Sequence, residues 1–164
     1  MPLVLEDGKI EVSISNSQLL AKGTPLNDKL YEFIDKRNAL EVKIEELERK
    51  EARMVLDGAD LENVRQELSK ESATLIKEMN DYVRQFITDN FENVLGPSVF
   101  MMMCSTMPYP VMTPQIEEIM KTAPLSFKEN KQVKDFLTKA KENMQLLEEQ
   151  HRMRQNIILG EGQK

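Results

Sequence analysis

Apolar and polar residues alternate from the start of the chain. In "LVLEDGKIEVSI", Leu3 to Ile14, the alternation runs on both sides of Asp7-Gly8, a pair that favours the tight type I′ turn because both central residues adopt positive φ. With those two as the loop, Leu5 faces Ile10, Leu3 faces Val12 and Met1 faces Ile14 on one side of a β-hairpin, and Glu6 meets Lys9 on the other. Residues 18–22, "QLLAK", read as a short third strand. An isolated hairpin is marginal in water and its open edges invite further strands. Leu3, Leu5, Ile10, Val12 and Ile14 are therefore the candidate interaction surface, for self-association by strand pairing or for another protein.

The period changes after Gly23. Thr24 is placed to cap a helix with Pro25 at its first position, and Gly58 to stop it at C′. Between them Leu26, Leu30, Phe33, Leu40, Ile44, Leu47 and Met54 recur at steps of three and four, interrupted by Arg37 and Glu51. Asp60 caps a second helix whose stripe is Leu61, Val64, Leu68, Leu75, Met79, Tyr82 and Phe86, with Glu71 beside it. Two such helices with so short a connection must run antiparallel, each roughly 45 Å long. The polar interruptions either fix the register of the seam, as polar core positions do in coiled coils, or mark an outer half that is simply wet.

Beyond Asn90 the chain becomes small, apolar and proline-containing. A buried helix is expected from Pro97 to about Met107, then a turn through Pro108 and Pro110. Thr113 caps a short helix that carries Glu117 and Glu118 in its early turns, and Pro124 ends it. A last helix runs from Asn130 to about Ile158, with Val133, Leu137, Ala140, Met144 and Leu147 in its stripe, and Gly160 stops it. The expected class is mainly α: a long antiparallel helical hairpin plus shorter helices, with a small N-terminal β-hairpin of minor α+β character. The expected divisions are 1–23 for the β-hairpin, 24–90 for the helical hairpin, 91–159 for a helical body and 160–164 for a linker.

Composition narrows the functions open to such a chain. Charged residues make up 30% and aromatic residues 5% of its 164 positions, with no Trp, so apolar side chains must be concentrated on helix stripes. A net charge of -6 argues against a nucleic-acid surface, because phosphate binding draws on clustered Lys and Arg. No apolar run reaches the length of a membrane span, and "MPLVLEDGK" lacks the basic-then-apolar order of a leader.

Chemistry is sparse. Met101, Met102 and Met103 precede Cys104, the single cysteine, and soft sulfur ligands suit Cu(I). Consecutive helical residues, however, point about 100° apart, so the run lines several sides of a buried helix rather than one ion. A lone cysteine permits no internal disulfide and no C-x-x-C pair, and no cation neighbours Cys104 in sequence to activate it. His151, the single histidine, lies among charged residues of the last helix with no partner nucleophile. No Gly-rich phosphate loop, H-E-x-x-H or G-x-S-x-G occurs. No catalytic, cofactor-binding or metal-ligating residue is assigned.

Four segments, "PLVLEDGKIEVSI", "GTPLNDKLYEFID", "DNFENVLGPSVF" and "YPVMTPQIEEIMKTAPLSFKENKQVKDF", resemble in consistent order the N-terminal domain of unknown function of bacterial cell-envelope thiol-disulfide oxidoreductases of the TlpA/ResA-like class. The resemblance implies a thioredoxin-fold module in cis, with "GEGQK" as the linker towards it, and a periplasmic setting. In that family earlier strands complete the sheet to which the "PLVLE" hairpin belongs, and they have no counterpart here. The family's C-x-x-C also has none, so no residue of this chain inherits its role. The expected function is that of a non-catalytic accessory region that positions the module or contacts a protein. A coiled-coil adaptor or chaperone-like arm is the alternative, and an enzyme the weakest of the three.

Overall fold

The structure is a computed structural model that describes residues 2–14 and 19–161. Among them lie two strands, β1 (Glu11–Ile14) and β2 (Leu19–Lys22), and six helices: α1 (Pro25–Leu56), α2 (Leu61–Asp89), α3 (Leu95–Cys104), α4 (Pro114–Thr122), α5 (Leu125–Lys128) and α6 (Lys131–Glu161). The chain is mainly α with a small N-terminal β-hairpin, and it forms two compact units, residues 1–86 and 87–164.

In the first unit β1 pairs antiparallel with β2, Val12 opposite Ala21 and Ile14 opposite Leu19. The hairpin is thus built from Glu11–Ile14 and the segment expected as a third strand, not from the two sides of Asp7-Gly8. Residues 2–6 form no strand, because Val4 gives both its backbone groups to the Asn27 side chain, with Val4 N–H donating to Oδ1 at 2.9 Å and Asn27 Nδ2 donating to Val4 O at 2.8 Å. Leu5 therefore does not pair with Ile10, nor Leu3 with Val12, and Lys9 bonds Glu11 at 2.8 Å rather than Glu6. Met1, expected opposite Ile14, lies outside the described residues, as do residues 15–18.

The limits of the helical hairpin follow the sequence. Gly58, at φ 94, closes α1, and its N–H donates to Val55 O while that of Ala59 donates to Met54 O. These are the two bonds of a Schellman motif, which needs a left-handed residue where glycine has no Cβ to clash. Asp60 caps α2 by accepting from Asn63 N–H at 3.1 Å. Phe33 stacks on Tyr82 and meets Phe86, while Glu51 pairs with Arg65 at 3.1 Å. Numbers that rise along α1 fall along α2, so the helices are antiparallel. Leu30, Phe33, Leu40, Val64, Leu68 and Phe86 are buried, whereas Ile44, Leu47 and Met54 are only half-buried. The outer half of α1's stripe is partly wet. Of its two polar interruptions, Arg37 bonds Glu41 one turn on and Glu51 reaches across to α2.

The second unit is centred on three aromatic side chains. Phe100 of α3 meets Phe127 of α5 and Phe136 of α6 edge-on, each at 5.7 Å between ring centres. Such edge-to-face contacts oppose the ring quadrupoles favourably and add about 0.5–1.5 kcal/mol each beyond burial. Leu95, Val99, Cys104, Ile116, Ile119, Val133 and Ala140 complete the core. Thr113 caps α4 through Ile116 N–H at 3.3 Å, as expected, and Asn130, expected as the first residue of the last helix, caps α6 through Gln132 N–H at 3.1 Å. α3 begins two residues before the expected Pro97 and ends at Cys104, three before Met107. α5, a single turn, occupies a stretch expected to be a connection, and α6 continues past Gly160 to Glu161. Of the expected linker, residues 162–164 lie outside the described residues.

Candidate interaction surface

The five apolar residues of the candidate surface occupy two adjacent stretches. Val12 and Ile14 lie on β1, and opposite partners in an antiparallel pair share a face, so both stand on the face of Ala21, which is fully buried. β2 packs against α1. On β1 the same face is open: Val12 is 49% and Ile14 78% exposed. A sheet face is therefore buried under one strand and bare under the next, with an apolar side chain at each position that would continue the core.

Leu3 and Leu5 do not join that row. They sit on the extended stretch fastened to α1, 40% and 87% exposed, and Ile10 is half-buried between the two stretches. The surface expected to be one continuous hairpin face is thus a β1 face flanked by a separate apolar segment.

The residues that fix this geometry are polar and were missed by the sequence reading. The Glu6 carboxylate accepts from Leu26 N–H at 2.9 Å and Asn27 N–H at 3.1 Å, which makes it the cap of α1 from twenty residues away. Thr24, expected to cap α1, makes no cap bond to the backbone; its hydroxyl accepts from Asn27 Nδ2 at 2.8 Å and bonds Glu6. A negative charge at a helix N-terminus is favourable because the first-turn N–H groups lack internal partners. Desolvation works to raise the Glu6 carboxyl, but bonds from the Thr24 hydroxyl and from Asn27 and Leu26 prevail and hold it below the ordinary glutamate range. Gly23 N–H donates to Asp28 Oδ1 at 2.9 Å, and the Tyr31 hydroxyl donates to Pro2 O at 3.1 Å. The sequence signal for this arrangement is confined to "NDK" in α1's first turn, where Asn and Asp read equally well as ordinary N-terminal residues.

No family model, curated protein or solved structure matches the chain.

Of the residues of the second unit weighed for chemistry, the cysteine is a core residue. Cys104 is buried, and desolvation pushes its thiol up to about 12, which leaves it protonated and unreactive at neutral pH. Met101, Met102 and Met103 are each half-buried beside it. Met107, expected at the end of the same helix, lies beyond it, because α3 ends at Cys104. His151 is exposed on α6. Among the described residues no group of three or more His, Cys, Asp or Glu is placed to hold a metal ion, and no helix is long and apolar enough to cross a membrane.

Proposed function

We propose that this chain is a non-catalytic accessory region of a bacterial cell-envelope thiol-disulfide oxidoreductase, and that it works by protein contact at the β1 face. The observation that carries the contact is the exposed pair Val12 and Ile14 on the same sheet face as buried Ala21. Strand addition at such an edge gains main-chain hydrogen bonds, and alternate side chains supply specificity. The inert Cys104 thiol is consistent with redox chemistry residing elsewhere, on the thioredoxin-like module that the four-segment resemblance implies in cis. The partner at β1 is that module, its substrate protein or a second copy.

Two experiments test the proposal. The coding sequence adjoining this chain should encode a W-C-x-x-C module downstream and an export signal upstream; absence of both sinks the oxidoreductase reading. A photo-crosslinking residue placed at Ile14 should capture protein in the native setting, whereas one at exposed Ile76 of α2 should not.

A chaperone-like arm is the second reading. Leu56, beside the turn joining α1 and α2, is 85% exposed, an apolar group at an end where client chains could be held. If this reading is right, the protein suppresses aggregation of an unfolded client and Leu56→Asp abolishes the effect.

A further inference from the structure

Pro2–Glu6 is an apolar-looking stretch held almost entirely by polar contacts. Its fastenings are the reciprocal pair between Val4 and Asn27, the bonds from Leu26 and Asn27 to the Glu6 carboxylate, and the bond from Tyr31 to Pro2. All of these go to Leu26–Tyr31 or, through the Thr24 hydroxyl, to the residue just before α1. Leu3 and Leu5 remain exposed, whereas Val4 is half-buried and the stretch's partners Asn27 and Tyr31 on α1 are buried; the apolar part of the attachment is thus confined to the inward side of Val4. The aromatic stack of the same unit, Phe33 with Tyr82 and Phe86, joins α1 to α2 without any residue of this stretch. Gly8, at φ +127, lies two residues past the stretch.

We infer that Pro2–Glu6 is a releasable clasp on α1, latched by Glu6, which opens as a unit separate from the α1–α2 core. Segments with few apolar contacts of their own are the ones that open locally, well below the free energy of global unfolding, and three of these five residues, Pro2, Leu3 and Leu5, are exposed. A replacement for the latch is built in. Thr24 occupies the N-cap position with extended backbone, and in the closed state its hydroxyl is engaged by Asn27 Nδ2 and Glu6. Once Glu6 leaves, that hydroxyl is placed to accept from the Asn27 N–H, as N-cap threonines do. α1 therefore keeps a cap in both states. Release also frees Pro2–Ile10 to continue β1, lengthening the strand edge. That consequence rests on the protein-contact role proposed above; the opening itself does not.

Native-state hydrogen exchange of the full chain at neutral pH, followed residue by residue, tests the clasp in the absence of any partner. Glu6→Gln removes the latch charge and Glu6→Ala the latch. In both, exchange at the Val4 and Leu26 amides should rise by about tenfold or more, with Glu6→Ala the larger, while the amides of Phe33 and Val83 keep their protection. Unchanged exchange at Val4 in Glu6→Ala overturns the latch. An equal rise at Val4 and Phe33, or a chain that no longer folds, overturns the separation of clasp from core. Failure to crosslink at Ile14, by contrast, bears only on the contact role.

Discussion

Glu6 and Cys104 are ionisable groups whose surroundings have moved them in ways that can be measured. The Glu6 carboxyl is held low, so its contribution to stability is complete above the unfolded value of about 4.3 and is lost as pH falls through the folded value. Acid unfolding of the first unit should therefore be less steep in Glu6→Gln, as circular dichroism across an acid series would reveal. Cys104 runs the other way. Its thiol is pushed up to about 12, so above the unfolded value of about 8.5 the unfolded chain ionises while the folded chain does not, and stability declines as pH rises. At neutral pH a thiol reagent should label Cys104 only as fast as the second unit opens, and immediately in denaturant. Rapid labelling of the folded protein would contradict its burial.

At the scale of elements, two glycines of different kinds set the ends and approaches of helices. Gly58 has positive φ and nothing within 4 Å of where a Cβ would stand, so Gly58→Ala carries only the left-handed conformational cost of about 1–2 kcal/mol. At Gly96 a Cβ would stand 2.4 Å from the Asn90 carbonyl oxygen, which forces backbone to move and should destabilise by about 1–3 kcal/mol. Denaturant midpoints of the two variants should rank Gly96→Ala as the more damaging.

Caps of this kind are what the sequence makes legible. Gly58, Asp60, Thr113 and Asn130 each act within a few residues of their own position, so a local pattern suffices to find them. Glu6 capping α1 is not local. It is a side chain meeting a helix end twenty residues on, and nothing in "LVLED" distinguishes that role from a strand residue facing solvent. The same limit explains the hairpin. Alternation marks Leu3, Leu5, Val12 and Ile14 as extended in one common pattern, but cannot say that Asn27 takes the first pair's backbone and β2 the second's. Of the candidate surface, the face that Val12 and Ile14 share is legible in the alternation, and their separation from Leu3 and Leu5 is not. α5 is not legible because its four residues, Leu125–Lys128, are too few to show a period.

On the scale of the whole molecule, the contrast is between interiors whose polar groups are satisfied and apolar side chains left at the surface. No buried side-chain nitrogen or oxygen among the described residues lacks a hydrogen-bond partner, and each unit has its own aromatic centre. Against that background β1 leaves its apolar face exposed at Val12 and Ile14. If a partner covers it, Val12→Lys with Ile14→Lys should abolish crosslinking or self-association, measured by sedimentation over a concentration series, with little loss of helix content. Lysines on an edge strand are a common means of preventing such pairing, so retained association in this variant would place the contact elsewhere.

Asn27 also bears on how the protein ages. An asparagine deamidates when the following backbone nitrogen attacks its side-chain carbonyl. Here that nitrogen, of Asp28, is engaged by Thr24 O at 2.9 Å, and the amide itself is held by Val4, Thr24 and Glu6. Folding thus shields the site from this slow chemical decay. Were the shield lost, conversion to aspartate would set a second carboxylate beside Glu6 and remove the amide donor to Val4, and the damage would be permanent.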